Sequence, residues 1–120
     1  MIEEIRSFRR AELPFKDYGD GPGAAAIARL VGPGDSATMG AYLARFDRRS
    51  VAWAVQYDEL IVCIEGEFRL RSGEDSHTLF PGDVLWIPNG TSLRYEGVAC
   101  LVFIAIAPVD WRSRIEAVAV

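Results

Sequence analysis

Seven turn-forming segments interrupt the chain between residues 19 and 97: Gly19-Asp20-Gly21-Pro22-Gly23, Gly32-Pro33-Gly34-Asp35, Asp47-Arg48-Arg49-Ser50, Ser72-Gly73-Glu74-Asp75, Pro81-Gly82-Asp83, Pro88-Asn89-Gly90 and Glu96-Gly97. Glycine and proline at this density mark tight turns, because each supplies backbone angles that other residues resist. The runs between them are rich in β-branched and aromatic residues. They are expected as strands at residues 24–31, 38–46, 51–55, 59–65, 67–71, 77–80, 84–87, 92–95 and 99–106. Many short strands with frequent turns and little helix imply an all-β sandwich or closed barrel.

In Arg69-Leu70-Arg71 charge alternates with leucine, so that strand has one wet face. Residues 60–65 and 100–107 are apolar in both phases. Such strands are covered on both sides, one side being the barrel interior or a subunit interface. Pro108 ends the last strand, Asp110 is placed to cap a helix, and residues 111–118 have the length for about two helical turns. A single domain over residues 1–120 is expected: an N-terminal arm (1–23), a barrel (24–107) and a short C-terminal helix (108–120).

The net charge of −4 and the lack of a basic stripe argue against nucleic acid or an anionic membrane as partner. No apolar run approaches the length of a membrane span. The N-terminal ten residues are charged throughout and lack the apolar region of a signal peptide, so a cytoplasmic location is expected. Cys63 and Cys100 sit in apolar runs without CxxC spacing and read as buried free thiols. Lys16 is the one lysine and His77 the one histidine, which disfavours a lysine Schiff base or a histidine triad.

Glu59 is followed after six residues by Gly66; Gly82 is followed after five by Pro88, and then by Gly90. This ordered pair of spacings resembles the two motifs of the cupin superfamily. The resemblance implies a cupin double-stranded β-helix, a jelly-roll barrel, with Gly66 in the turn of a hairpin. The family's metal is held by two histidines before the glutamate, the glutamate, and a histidine after the P-x-G. Here those positions are Trp53 and Val55 (or Ala52 and Ala54 with a longer gap), Glu59 and Leu93. Only Glu59 is a donor, so neither metal nor other cofactor is expected.

A narrower likeness follows from Trp53-x3-Tyr57-Asp58-Glu59, Glu65-Gly66-Glu67, Gly82-Asp83-Val84, Ile87-Pro88, Gly90-Thr91-Ser92 and Pro108-x-Asp110-Trp111. This string is similar to the cupin domain of the ethanolamine-utilisation protein Q family. That family is associated with ethanolamine catabolism and microcompartments, and an acetate-kinase-like activity is ascribed to it. No G-x4-G-K-[ST] phosphate loop occurs here.

If residues 53–61 are extended, Trp53, Val55, Tyr57 and Glu59 share one side. With Glu59 turned into the barrel, as the resemblance implies, Leu93 and Tyr95 face it from an opposing strand. Met39 or Tyr42, and Phe103, are further candidate walls. The expected site is an aromatic cup for a small organic ligand with Glu59 as its polar centre. Three functions stay open: binding of a small metabolite, an amine among them; a metal-independent isomerase or lyase with Glu59 as general base and Tyr57 or Tyr95 assisting; and a non-catalytic accessory dimer. A homodimer is the expected assembly in each case. Against these stands a structural role for Glu59, satisfied by backbone or by Arg45. Asp58 and Asp83 are expected to bond turn backbone, and His77 to be ordinary surface.

Overall fold

The structure is a computed structural model that describes residues 4–118. Eight strands carry it: β1 (Lys16–Asp17), β2 (Ala24–Val31), β3 (Gly40–Asp47), β4 (Val51–Ala54), β5 (Asp58–Ser72), β6 (Asp75–Leu79), β7 (Val84–Ile87) and β8 (Ser92–Ala107). A single 3-10 turn (Arg10–Glu12) precedes them and the helix α1 (Trp111–Val118) follows. The all-β class with one short terminal helix is the one that the turn density implies.

The main departure from the sequence reading is the continuity of β5 and β8. Residues 59–65 and 67–71 are one strand, as are 92–95 and 99–106. Gly66 is therefore a bend inside β5 and not a hairpin turn. The two long strands pair antiparallel from Asp58↔Ala107 to Arg71↔Arg94, and the register slips on both sides of Glu65. The first half of β5 and the second half of β8 lie between β7 and β3. The other halves lie between β6 and β4. By bending, β5 and β8 serve both faces of a jelly roll, and the strand order β1-β2-β3-β8-β5-β6 wraps the interior.

The bend requires glycine. Gly66 has φ +69, and a methyl group there would press on the Ala99 carbonyl and lie 2.6 Å from the Val98 oxygen. Ala99 itself stands at φ 46. The backbones of β5 and β8 thus meet where neither has room for a side chain on the facing side.

The turns fix the mouth. The Asp83 carboxylate accepts the Phe80 N–H at 2.9 Å, and Asp58 Oδ1 accepts the Asn89 N–H at 3.0 Å. Both acids thus bond turn backbone, as expected of them. Arg49 does more than a solvated turn residue: its guanidinium donates to the carbonyls of Tyr18, Gly19, Pro22, Gly21 and Gly23. The 19–23 loop turns its oxygens inward onto that cation. Asp110, expected as a cap, accepts the Arg114 Nε–H on its carboxylate at 2.8 Å and the Arg114 N–H on its backbone carbonyl at 3.2 Å.

Cys63 and Cys100 are buried free thiols. His77 is exposed on β6. No helix among the described residues is long and apolar enough to cross a membrane.

Candidate functional site

The segment from Val51 to Glu59 keeps strict alternation through the β4–β5 connection. Val51, Val55, Tyr57 and Glu59 are buried and Trp53 is half-buried, whereas Ala52, Ala54 and Asp58 are exposed. Trp53, Val55, Tyr57 and Glu59 therefore share the inner face. From β8, Leu93 and Tyr95 join them: Trp53 pairs with Leu93 and Val51 with Tyr95.

Glu59 is 1% exposed and is the only buried acidic or basic side chain among the described residues. The Tyr95 hydroxyl donates to its carboxyl, 3.0 Å from Oε1 and 2.9 Å from Oε2. Tyr95 is held in turn by rings, stacked on Phe46 at 5.7 Å and tilted against Phe68 at 6.3 Å. Arg45 does not serve Glu59. It stands 3.7 Å from Glu65 with its guanidinium over Phe15. Burial without a facing cation disfavours the charged form, and the Glu59 pKa is pushed up to about 7 even though the Tyr95 bond pulls it down. Burial and the nearby carboxyl push the Tyr95 and Tyr57 phenols well above the usual tyrosine range.

The upper wall is aromatic. Trp53 Nε1–H donates to the Tyr57 hydroxyl at 3.0 Å. Trp111, at the start of α1, leans on both, 5.8 Å from Trp53 and 5.4 Å from Tyr57 between ring centroids. Tyr18 and Tyr42 are half-buried against the same core. Trp111 and Tyr18 were not foreseen as wall residues. Each comes from a segment remote in sequence from Glu59, and only the closing Pro-x-Asp-Trp pattern hinted at the former.

Two candidate walls are corrected. Phe103 lies on the outer face of β8, paired with Leu43 and Val62, while its neighbours Val102 and Ile104 fill the core. Met39 is 52% exposed, so of the Met39–Tyr42 pair Tyr42 is the one turned inward.

The donor set does not fit the metal of the wider cupin superfamily. At the ligand positions stand an indole, two aliphatic chains and one carboxyl already bonded by a phenol. Among the described residues no three of His, Cys, Asp and Glu come together. One carboxylate does not hold a divalent ion tightly.

A sequence profile of the family described as ethanolamine utilisation protein EutQ matches residues 15–113. The chain is 29% identical over 96 residues to acetate kinase EutQ of Salmonella typhimurium LT2, a match covering 79% of this chain and 42% of that protein. It thus spans about two-fifths of the length of that curated relative. Its structure is similar to that of an ethanolamine utilization protein Q from Salmonella typhimurium LT2, with a TM-score of 0.78 at 25% identity over 88% of this chain and 87% of the other. A RmlC-like cupin from Methanocaldococcus jannaschii with a double-stranded β-helix shares the fold alone, with a TM-score of 0.67 at 15% identity over 95% and 98% of the two chains. The cupin jelly roll implied by the motif spacing is the fold of this chain.

Proposed function

The chain belongs to the EutQ family, and from that premise we propose that it binds a small organic metabolite in its aromatic cup, with Glu59 in place of a metal as the central polar group. The observation that carries this reading is the burial of Glu59, bonded to Tyr95 and faced by rings, with no ion pair. Structural carboxylates are normally paired or turned to water. A buried carboxyl whose bonded partner is a phenol and not a cation suits a partner that arrives from outside. Tyr57 supports the reading, because its oxygen accepts from Trp53 and its own proton is left to donate. Trp53, Val55 and Leu93 supply apolar wall. Kinship with EutQ supports a ligand among the metabolites of ethanolamine utilisation, and a cytoplasmic setting.

A thermal-shift screen of small cationic, neutral and anionic metabolites tests this. At least one ligand is expected to raise the Tm of the wild type by several degrees and to lose that effect in Glu59→Gln. Ligands that stabilise wild type and variant equally would remove Glu59 from the site.

A second reading is favoured by the Glu59 pKa of about 7. A group half-protonated at neutral pH serves as general base and acid alike. A metal-independent isomerase or lyase would then use Glu59 to move a proton, with the Tyr57 hydroxyl at the substrate oxygen. In that case Glu59→Gln loses turnover while substrate still binds.

The outer face supports an accessory role beside either reading. Leu60, Ile64, Val84 and Trp86 are 41%, 40%, 55% and 58% exposed on the adjacent strands β5 and β7. Val62 and Phe103 continue the surface. A contiguous apolar sheet face of this kind marks an interface, and a second copy offers the same flat apolar face in return. Light scattering is expected to give twice the chain mass of 13.3 kDa. Trp86→Glu is expected to give the monomer with an unchanged circular dichroism spectrum. A monomeric wild type at about 100 µM, in the concentration range where weak dimers persist, would remove the second copy.

A further inference from the structure

We propose that the ligand of this cup is a small organic cation bearing an ammonium group, held between the Glu59 carboxylate and the rings of Trp53, Tyr57 and Trp111. The inference rests on the reading of the cup as a binding site and names the chemistry of its ligand. It is a charge argument first. The groups that face Glu59 are Tyr95 from β8, Tyr57 from the approach to β5 and Tyr18 from the β1–β2 loop, all phenols held above the usual tyrosine range. The guanidinium that could have paired with it, Arg45, is engaged with Glu65. A buried carboxylate without a counter-charge is costly, and an ammonium group is the ligand feature that removes the cost. An anion would add a second negative charge, and a neutral ligand would leave the first unpaired.

The rings agree with this. Trp111 stands at 74° to Trp53 and at 59° to Tyr57, so the three form tilted panels and not a stack. Panels of this kind present π faces to a cation inside them. Trp111 already attracts one cation, since the Arg112 guanidinium lies 4.9 Å from its ring centre.

Access follows from how Trp111 is held. Glu59 is 1% exposed, so a ligand reaches it only where the packed side chains part. Trp111 begins α1, whose residues 112–117 are exposed, and its ring is the helix's main purchase on the barrel.

The test is a titration followed by the indole N–H signals in NMR at about pH 8, where Glu59 is ionised. The probes are n-propylammonium chloride and n-propanol, nearly equal in size and different in charge. Propylammonium is expected to shift the Trp53 and Trp111 signals saturably while Trp86, on the outer face, stays still. Propanol is expected to bind at least tenfold more weakly. Glu59→Gln should reduce the ratio to near one, and Trp111→Ala should weaken propylammonium several-fold. Propanol binding as well as propylammonium in the wild type overturns the cation and leaves the cup as a binding site. A preference that survives in Glu59→Gln overturns the role of the carboxylate. No shift with either probe up to 100 mM overturns the inference, and if the metabolite screen is also empty the binding reading falls with it.

Discussion

Gly66→Ala is expected to destabilise the protein by about 4 kcal/mol or more and to leave little of it soluble. Two costs add. The left-handed φ of +69 charges any L side chain about 1 kcal/mol relative to glycine. The larger cost is steric, because the new methyl meets backbone and not a movable side chain: the Ala99 carbonyl carbon at 2.6 Å and the Val98 oxygen at 2.6 Å. Relief requires β8 to retreat from β5 at the point where both strands change layers. That would break the ladder between Glu65↔Leu101 and Glu67↔Val98. Gly73→Ala is the control. Its φ is +61 and a methyl group there meets nothing within 4 Å, so it is expected to cost only about 1 kcal/mol. Urea unfolding of the two variants separates dihedral strain from collision. Equal losses at the two positions would mean that the β5–β8 approach is not a constraint on the fold.

The same position shows how far the sequence could be read. The turn residues gave the all-β class correctly because proline and glycine act locally, but nine strands were expected where eight stand. Gly66 and Gly97 looked like the other turn glycines, yet their function is to let two backbones meet. That depends on a partner about thirty positions away, so one β5 was read as two strands and one β8 likewise. Side-chain phase behaved in the same way. Between Val51 and Glu59 exposed residues alternate with apolar ones, and the inner face could be assigned. Residues 100–107 are apolar in both phases with no polar marker, and Ala99 at φ 46 resets the alternation just before them. Phe103 was therefore assigned to the wrong face. Glu59 itself was legible from motif spacing. Its bond to Tyr95 was legible only as one of two choices of tyrosine, and Trp111 was hinted at only by the closing Pro-x-Asp-Trp pattern. Arg49, one of two adjacent arginines in a turn, carried no local sign that it gathers five carbonyls of another loop.

Between pH 4 and pH 8 the wild type is expected to lose about 3 kcal/mol of stability relative to Glu59→Gln. The native carboxyl titrates near 7, against 4.5 for an unperturbed glutamate. Between those values the folded state holds a proton that the unfolded state releases, so stability falls as pH rises. The contribution is complete below about 4.5, declines through the interval and is fully lost above about 7. Other carboxylates move the absolute curves through acid unfolding, but they are common to both proteins and cancel in the difference. Glutamine mimics the protonated acid in shape and can still accept from Tyr95 through its amide oxygen, so the two proteins should agree most closely at low pH. Tyr95→Phe sharpens the test, because the phenol's hydrogen bond stabilises the carboxylate. Without it the midpoint of the decline should move to higher pH. The measurement is the unfolding free energy of the three proteins from urea titrations across the range. Parallel curves for wild type and Glu59→Gln would mean that the carboxyl reaches water in the folded state, and the charge argument for a ligand in the cup would end with that result.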